Sequence, residues 1–275
     1  MLAHDVLPER LREQLVASFA EEMRRFTGSN SVLPRRIVII DENPEEQFLY
    51  PEMEIFRELF ADWCSCCATI VDPSELEASA EGVFLKGMPI DLIYNRHCDF
   101  YLETEAMAGI RAAYRNGTVC LTPNPFTYGL LGDKRRLACW TNPDKLKASG
   151  LDERSQEIIL RLIPESHIMS DMDLDDLWAE RKNWVLKPAV LHASRGVLLG
   201  AKTSRNRFSQ FVPEETVVQK YVPPTTAETA AGKLKTDLRL YVYRRRVLGV
   251  AARLYQGQVT NLRTEGGGFA AVDLI

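Results

Sequence analysis

Arg239, Arg253, Asn261 and Arg263 recur along the end of the chain, and the glycines Gly266, Gly267 and Gly268 follow them. Guanidinium groups, an amide and a loop almost free of side chains suit one kind of ligand, a polyphosphate. The cations neutralise it, and glycine lets backbone N–H groups approach it closely. A second candidate comes earlier. Lys187 stands near the end of a strand-like run, Trp184-Val185-Leu186-Lys187-Pro188, and leads into Ala189 to Ser194 and then Gly196. A loop of small residues between two strands can fold over phosphates. The pattern is not G-x-x-x-x-G-K-[ST], because the lysine precedes the loop instead of closing it. A plainer reading of the arginines stays open, an antiparallel edge hairpin with solvated side chains.

The elements that must position these residues follow from hydrophobic spacing. Leu238, Leu240 and Val242 alternate with Arg239, Tyr241 and Tyr243, which is the period of a half-buried strand. Arg244-Arg245-Arg246 reads as the hairpin turn and Val247 to Tyr255 as the returning strand. Gln256-Gly257-Gln258 is a further turn, before a short segment at 259–261. Upstream, Thr216 to Val222 is a strand that stops at Pro223-Pro224, and residues 127–140 form a helix carrying Lys134, Arg135 and Arg136. Further helices are expected at 144–149, 152–162 and 171–182, with 164–168 as a short link.

The first half alternates the two periods. Helix 8–27, with Leu11, Leu15, Phe19 and Met23 spaced by four, precedes a buried strand at 36–41. Helix 52–63, strand 69–73, strand 90–96, helix 103–116 and strand 118–121 complete the series, which predicts a parallel α/β sheet. Ligands of such sheets sit past the carboxyl ends of the strands. Asp41-Glu42, Asp72, Asn95-Arg96 and Asn124 all fall there. Taken singly each suits a cap or a turn; taken together they suggest a polar cleft for a second substrate. His97 is the histidine nearest to it.

The totals exclude several classes. The chain has 275 residues, 45% hydrophobic and 26% charged, with a net charge of −4. No global basic field argues for nucleic acid, and no apolar run approaches the ~20 residues of a membrane span. Acids and arginines run through residues 1–30, so they read as neither signal nor transit peptide. Of six cysteines, Cys64, Cys66 and Cys67 look like half of a zinc site. Cys98, Cys120 and Cys139 are isolated and supply no second pair. Buried thiols in a reducing cytosol are the default, and the expected location is cytoplasmic.

Several of these segments occur in one order, and in that order the chain resembles the ATP-grasp proteins. GDKRRL, around Lys134, resembles the family's helix lysine. VLKPAVLHASRG resembles its lysine strand and flap, with Ser194 and Gly196 in the flap and Lys187 toward the α- and β-phosphates. VVQKYV resembles the hinge strand whose backbone reads adenine, with Gln219 at the acidic or amide position and Tyr221 beside it. DLRLYVY, AARLY and TNLRTEGGG resemble the D-x-R strand, the later arginine and the N-x-x-x-GG segment. The resemblance therefore implies that Arg239, Arg253 and Asn261 face the triphosphate and an acyl-phosphate, with Gly266 and Gly267 closing over the nucleotide.

LYPE (Leu49 to Glu52), YNRHCDFYL (Tyr94 to Leu102), TPNP at 122–125 and the RLYQGQ and GGGF endings resemble uncharacterised bacterial proteins with a circularly permuted ATP-grasp arrangement. Glutathionylspermidine synthetase shares that permutation.

The fold so implied is α/β, with an α+β character in the C-terminal half. Residues 1–33 form an N-terminal helix, 34–126 a parallel α/β substrate domain, and 127–275 a nucleotide-binding region of antiparallel sheets and helices. The implied function is an ATP-dependent carboxylate–amine ligase that uses ATP and Mg²⁺ on small-molecule carboxylate and amine substrates. One departure matters. The family holds Mg²⁺ with an aspartate and a Glu-x-Asn pair, and after Asn261 only Glu265 and Asp273 remain. The chain is then either a piece whose metal-binding half lies elsewhere or a degenerate module that binds nucleotide or a partner without catalysis.

Overall fold

Ile37-Val38-Ile39-Ile40 is a run of β-branched residues with one valine and no polar face, and such a strand must be covered on both sides. The computed structural model places it inside the first of two units. The structure describes residues 9–64, 67–191, 194–229, 232–257 and 266–272. Unit one holds Met1–Tyr128, Arg239–Ala251 and Ala271–Ile275; unit two holds Gly129–Leu238 and Ala252–Ala270. Asn261, Arg263, Glu265, Asp273, His4, His192, Ala193, Cys66 and the segment 258–260 lie outside the described residues.

The first unit runs α1 (Glu9–Thr27), β1 (Arg36–Ile40), α2 (Tyr50–Cys64), β2 (Cys67–Val71), β3 (Glu77–Ser79), β4 (Gly82–Leu85), β5 (Met88–Pro89), β6 (Leu92–Asn95), α3 (Ala108–Asn116) and β7 (Cys120–Thr122). β2, β1, β6 and β7 form a parallel sheet in that order. On one face Ile37, Ile39 and Leu92 meet Phe19, Met23, Met53 and Phe60 of α1 and α2. On the other, Val38, Ile40 and Ile93 meet Val83, Leu102, Met107 and Ile110. The register sets Ile40 beside both Val71 and Asn95. Beyond the strand ends Asp41 N–H donates to Val71 O at 3.4 Å and Arg96 N–H to Ile40 O at 2.9 Å. The residues after β1, β2 and β6 therefore come to one edge of the sheet.

Strands and helices expected here fall within a few residues of those found. The three-stranded antiparallel sheet β3-β4-β5 was not expected. Its signal is local: Lys86 and Gly87, at φ 52° and 72°, make the tight connection that pairs Leu85 with Met88.

The chain passes to the second unit within α4 (Pro125–Leu131). There follow α5 (Arg135–Trp140), α6 (Pro143–Ala148), α7 (Glu153–Leu162), β8 (Ser166–Ile168), α8 (Leu174–Ala179), β9 (Trp184–Pro188), β10 (Leu198–Leu199), α9 (Arg205–Phe208), β11 (Thr216–Lys220), β12 (Thr225–Thr229), β13 (Gly232–Tyr243), β14 (Arg246–Tyr255) and β15 (Gly268–Ala271). One antiparallel sheet has the order β10-β9-β11-β8 and another the order β12-β13-β14-β15. Arg239–Tyr243 of β13 and Arg246–Ala251 of β14 count with the first unit.

Three expectations change. The helix expected over 127–140 is two helices, broken at Gly132 and Asp133, whose carboxylate accepts the Arg135 N–H at 2.9 Å. The link at 164–168 contains a strand, β8, too short to show an alternation of its own. The helix expected over 171–182 shrinks to α8, because Asp173 caps it by accepting the Asp175 and Asp176 N–H groups.

The alternation of β13 is real, but its apolar side is the open one: Leu238, Leu240 and Val242 are 64%, 58% and 57% exposed. Tyr243 and Arg244 reach α1 instead, at Glu22 (2.5 Å) and Glu21 (3.1 Å).

Candidate functional site

β9 and β11 pair so that Lys187 faces Val217 and Val185 faces Gln219. Residues two apart on a strand share a face, so the Lys187 and Gln219 side chains meet. The Lys187 ammonium donates to Gln219 Oε1 at 2.5 Å. Gln219 Nε2 donates to Ser166 Oγ at 2.9 Å and to Pro164 O at 3.4 Å, so both ends of the amide are used. Ser166 is held in turn by its hydroxyl on Pro164 O (2.8 Å) and its N–H on Thr141 Oγ1 (2.9 Å). Ser166 and Gln219 are 2% and 8% exposed, and a buried polar pair of this kind is stable only when satisfied.

Lys134 arrives from the break between α4 and α5. Its N–H donates to Ala189 O at 3.0 Å. Its ammonium lies on three carbonyls, Pro188 (3.1 Å), Ala189 (3.4 Å) and Leu191 (2.5 Å). Among the described residues no carboxylate bonds either ammonium; Asp133, beside Lys134, is engaged by Arg135 at 2.6 Å. Burial pushes the Lys187 pKa down, and the positive charge of Lys134 pushes it further. Lys134 is also lowered by burial, against a smaller opposing pull from Asp133. Two lysines, each partly withdrawn from water, with the charge of Lys134 disfavouring that of Lys187, form a site that an anion would relieve.

The loop after β9 turns beside them. Ser194 and Gly196 have φ of 60° and 70°, and Val197 N–H donates to Ser194 O at 3.2 Å. A Cβ on Gly196 would lie 2.7 Å from Pro188 Cγ, so the close approach and the left-handed backbone both require glycine. At the end of β11, the N–H groups of Lys220 and Tyr221 are taken by Glu165 O (2.8 Å) and Asn183 O (2.7 Å). Further along, Arg253 Nε donates to Asp237 Oδ1 at 2.6 Å across β13 and β14. Arg239, in the first unit, lies over the Tyr241 ring with 5.2 Å to its centroid. Gly266 has φ 69° and Gly267 leads into β15.

Of the residues singled out in the sequence, Lys134, Lys187 and Gln219 come together, with Ser194 and Gly196 on the loop leaving the same strand. Arg253 is engaged by Asp237, and Asn261 lies outside the described residues. Ser166 and Thr141, which hold Gln219 in place, were not foreseen. Their one sequence signal was the short apolar-flanked segment after Pro164. In the first unit, Asp72 and Asn124 are caps. Asp72 accepts the Asn43 and Ser74 N–H groups, and Asn124 accepts the Thr127 N–H. Among the described residues no three His, Cys, Asp or Glu side chains are grouped to hold a metal ion, and no helix is long and apolar enough to cross a membrane.

No protein-family model matches the chain, and no curated protein matches its sequence. Solved structures do match. A glutathione-synthetase-like effector from Globodera pallida, in its apo form, superposes with a TM-score of 0.53 at 10% identity over 88% of this chain and 53% of its own. A putative γ-glutamylcysteine synthetase from Methylobacillus flagellatus superposes with a TM-score of 0.54 at 9% identity over 94% of this chain and 71% of its own. The ATP-grasp ligase PsnB, complexed with minimal precursor, Mg and ADP, matches with a TM-score of 0.44 at 13% identity over 79% of this chain and 72% of its own.

The chain has an ATP-grasp-type fold. It spans about half the length of the Globodera protein. At these identities the likeness is one of fold, and it fits a parallel α/β unit joined to antiparallel sheets. In this ATP-grasp-type chain Lys187 sits on one antiparallel sheet, and Lys134 reaches the carbonyls at the end of the same strand from the break between α4 and α5.

Proposed function

We propose that the chain binds ATP through its second unit and acts as an ATP-dependent carboxylate–amine ligase. One observation carries the reading: Lys134 and Lys187 lie together, partly desolvated, with no carboxylate among the described residues bonded to either ammonium. A polyphosphate supplies the missing negative charge, and the loop containing Ser194 and Gly196 brings backbone N–H groups to it. Gln219 keeps Lys187 extended until the phosphate arrives. In the reaction, a substrate carboxylate oxygen bonds the γ-phosphorus and ADP leaves with the bridging oxygen. The amine nitrogen then bonds the acyl carbon, inorganic phosphate leaves, and the amine gives up a proton. The protein's share of such chemistry is positioning and charge neutralisation, which needs lysine and arginine and no Ser-His-Asp set. In this reading residues 127–275 hold the nucleotide and 34–126 present the second substrate.

The described residues do not offer a Mg²⁺ site, since no group of three ligands is present and the Asp237 carboxylate is committed to Arg253. No step is therefore assigned to a metal. The same observation favours a second reading, a module that binds nucleotide without turning it over. Calorimetry with ATP, with and without Mg²⁺, followed by release of ADP and phosphate in the presence of carboxylates and amines, separates the two. Binding with release supports the ligase. Binding without release supports the silent module. No binding overturns both.

A further inference from the structure

Gln219 is held from three sides, and its partners fix which way the amide points. Ser166 and Gln219 stand opposite each other in the pairing of β8 with β11, so their side chains share a face of the sheet. The Ser166 hydroxyl has one proton and donates it to Pro164 O at 2.8 Å. Its oxygen is therefore an acceptor toward Gln219, as is Pro164 O itself. The NH₂ end of the amide suits that side. Oε1 is left toward Lys187, whose ammonium can only donate. A carboxylate oxygen in place of the NH₂ group would have to draw the Ser166 proton away from Pro164.

Ser166 is tied in turn to a helix. β8 is at the edge of its sheet. The Ser166 N–H donates to Thr141 Oγ1 at 2.9 Å, and the Thr141 hydroxyl lies 3.0 Å from Ser166 O and 2.9 Å from Leu137 O. One side chain thus serves both backbone groups of an edge residue. Thr141 follows the last turn of α5, and Lys134 precedes its first. The same short helix therefore meets the sheet twice. At one end the Lys134 ammonium lies on the carbonyls of Pro188 and Ala189; at the other Thr141 holds β8. A buried polar network of this kind is rigid only while its members are satisfied.

We propose that Ser166 and Thr141 are positioning residues for Lys187: they lock the Gln219 amide with its oxygen toward the ammonium, so that an uncharged acceptor holds the lysine and its charge stays available to an anion. An acid at the same place would hold the lysine as firmly and cancel that charge. Neither Ser166 nor Thr141 needs to touch the ligand, because both act through Gln219. Calling the anion a nucleotide rests on the reading given above; the locking of the amide does not.

The test uses the full chain labelled with ¹³C in its lysine side chains, and Lys187→Met identifies the Lys187 signal. Without ligand, Ser166→Ala and Thr141→Val should each lower the pH at which Lys187 titrates by about 0.5 or more, the scale of weakening one hydrogen bond. Thr141→Ser keeps the hydroxyl and should titrate as the wild type does. Gln219→Glu should raise the midpoint by about 1 or more, because an opposite charge then stands beside the ammonium. A purely structural role would lower the melting temperatures of Ser166→Ala and Thr141→Val and leave the Lys187 titration unmoved; that result would overturn the proposal. So would a Thr141→Ser variant that behaves like Thr141→Val, or no rise in Gln219→Glu. ATP is titrated into the same variants by calorimetry. It should bind about five- to tenfold more weakly to Ser166→Ala and Thr141→Val, and at least about tenfold more weakly to Gln219→Glu. A wild-type chain that binds no ATP would sink the nucleotide reading, while the lysine titration still decides the positioning. Equal ATP affinity in Ser166→Ala, Thr141→Val and the wild type, with Lys187 unmoved, would remove the positioning alone.

Discussion

Lys187 in the second unit and Asp41 in the first are both drawn partly out of water next to the end of a strand, yet their surroundings are opposite. Lys187 has a second lysine for a neighbour and an uncharged amide for a partner. Asp41 has a single backbone N–H and a histidine and an arginine nearby. Desolvation disfavours the charged form in both cases, lowering the pKa of the base and raising that of the acid. Structural ion pairs avoid that cost by placing the counter-charge in the fold, as Arg253 and Asp237 do at 2.6 Å. A charge left without one suits a ligand of the opposite sign. In the proposed reading the lysines of the second unit take a polyanion, whereas the carboxyl of the first already has a cation, Arg96, beside it.

The comparison is broken most sharply at Lys187. Lys187→Met keeps the length and apolar stem of the side chain and removes the charge. ATP affinity measured by calorimetry should fall about a hundredfold or more, the scale of losing a charged contact to a buried anion, while the melting temperature moves by no more than about 2 °C. A lysine that served only to brace Gln219 would give the reverse pattern, unchanged affinity and a clear fall in stability. Gly196→Val comes next. Its Cβ would stand 2.7 Å from Pro188 Cγ at φ 70°, and a β-branched residue there costs about 1–3 kcal/mol of local strain. The loop should shift off the lysines, and ATP should bind about tenfold more weakly.

How much of this could be read in the sequence depends on where the determining contacts lie. β1 was legible because its own residues are apolar at every position after the arginine, and Lys187 because the strand and its loop are contiguous. Lys134 was found through its likeness to a known helix lysine, but its placement depends on a helix break at Gly132 and Asp133 that the periodicity of 127–140 hides. Ser166 was missed altogether. β8 has three residues, and its pairing with β11 comes from a segment about fifty residues away in sequence, which no local spacing records. Asp72 and Asn124 stood at the right edge of the sheet to be ligands. Whether a strand-end carboxylate or amide caps a helix or faces a ligand is decided by where the next turn goes. The orientation of the His97 ring is likewise tied to the Asp99 N–H on its Nδ1, a detail that residue types do not carry.

Asp41→Asn sharpens the comparison on the side of stability. An acid whose pKa is raised on folding holds its proton more tightly in the folded state. It therefore favours folding below the ordinary aspartate value and loses that contribution as the pH rises through the folded value. Burial disfavours the charged form of Asp41, so replacing it by asparagine should stabilise the ligand-free chain at neutral pH by about 1 kcal/mol. Thermal melts across pH should show the gain at neutrality and its disappearance near the ordinary aspartate value of 3.8. If the variant were less stable at pH 7, Asp41 would be a group whose charge the fold has matched.

The smallest effect is expected on β13, and it separates two meanings of the same alternation. Ile39 in β1 is 0% exposed and Leu240 in β13 is 58% exposed, though both occupy apolar positions of a strand. Period two shows that a strand has two unlike faces; it does not say which face is covered. On β13 the packing comes from Tyr243 and Arg244 reaching the glutamates of α1, so the side with aromatic rings and charges is the anchored one. Leu240→Thr keeps the β propensity and should change the unfolding free energy by less than about 0.5 kcal/mol. A strand with this row in a core would lose about 1.5–3 kcal/mol for the same loss of apolar surface. Tyr243→Phe, which removes the hydroxyl bonded to Glu22, should cost more than Leu240→Thr despite being the gentler change in volume. Chemical denaturation of the two variants, compared at equal m-value, decides which face holds the hairpin.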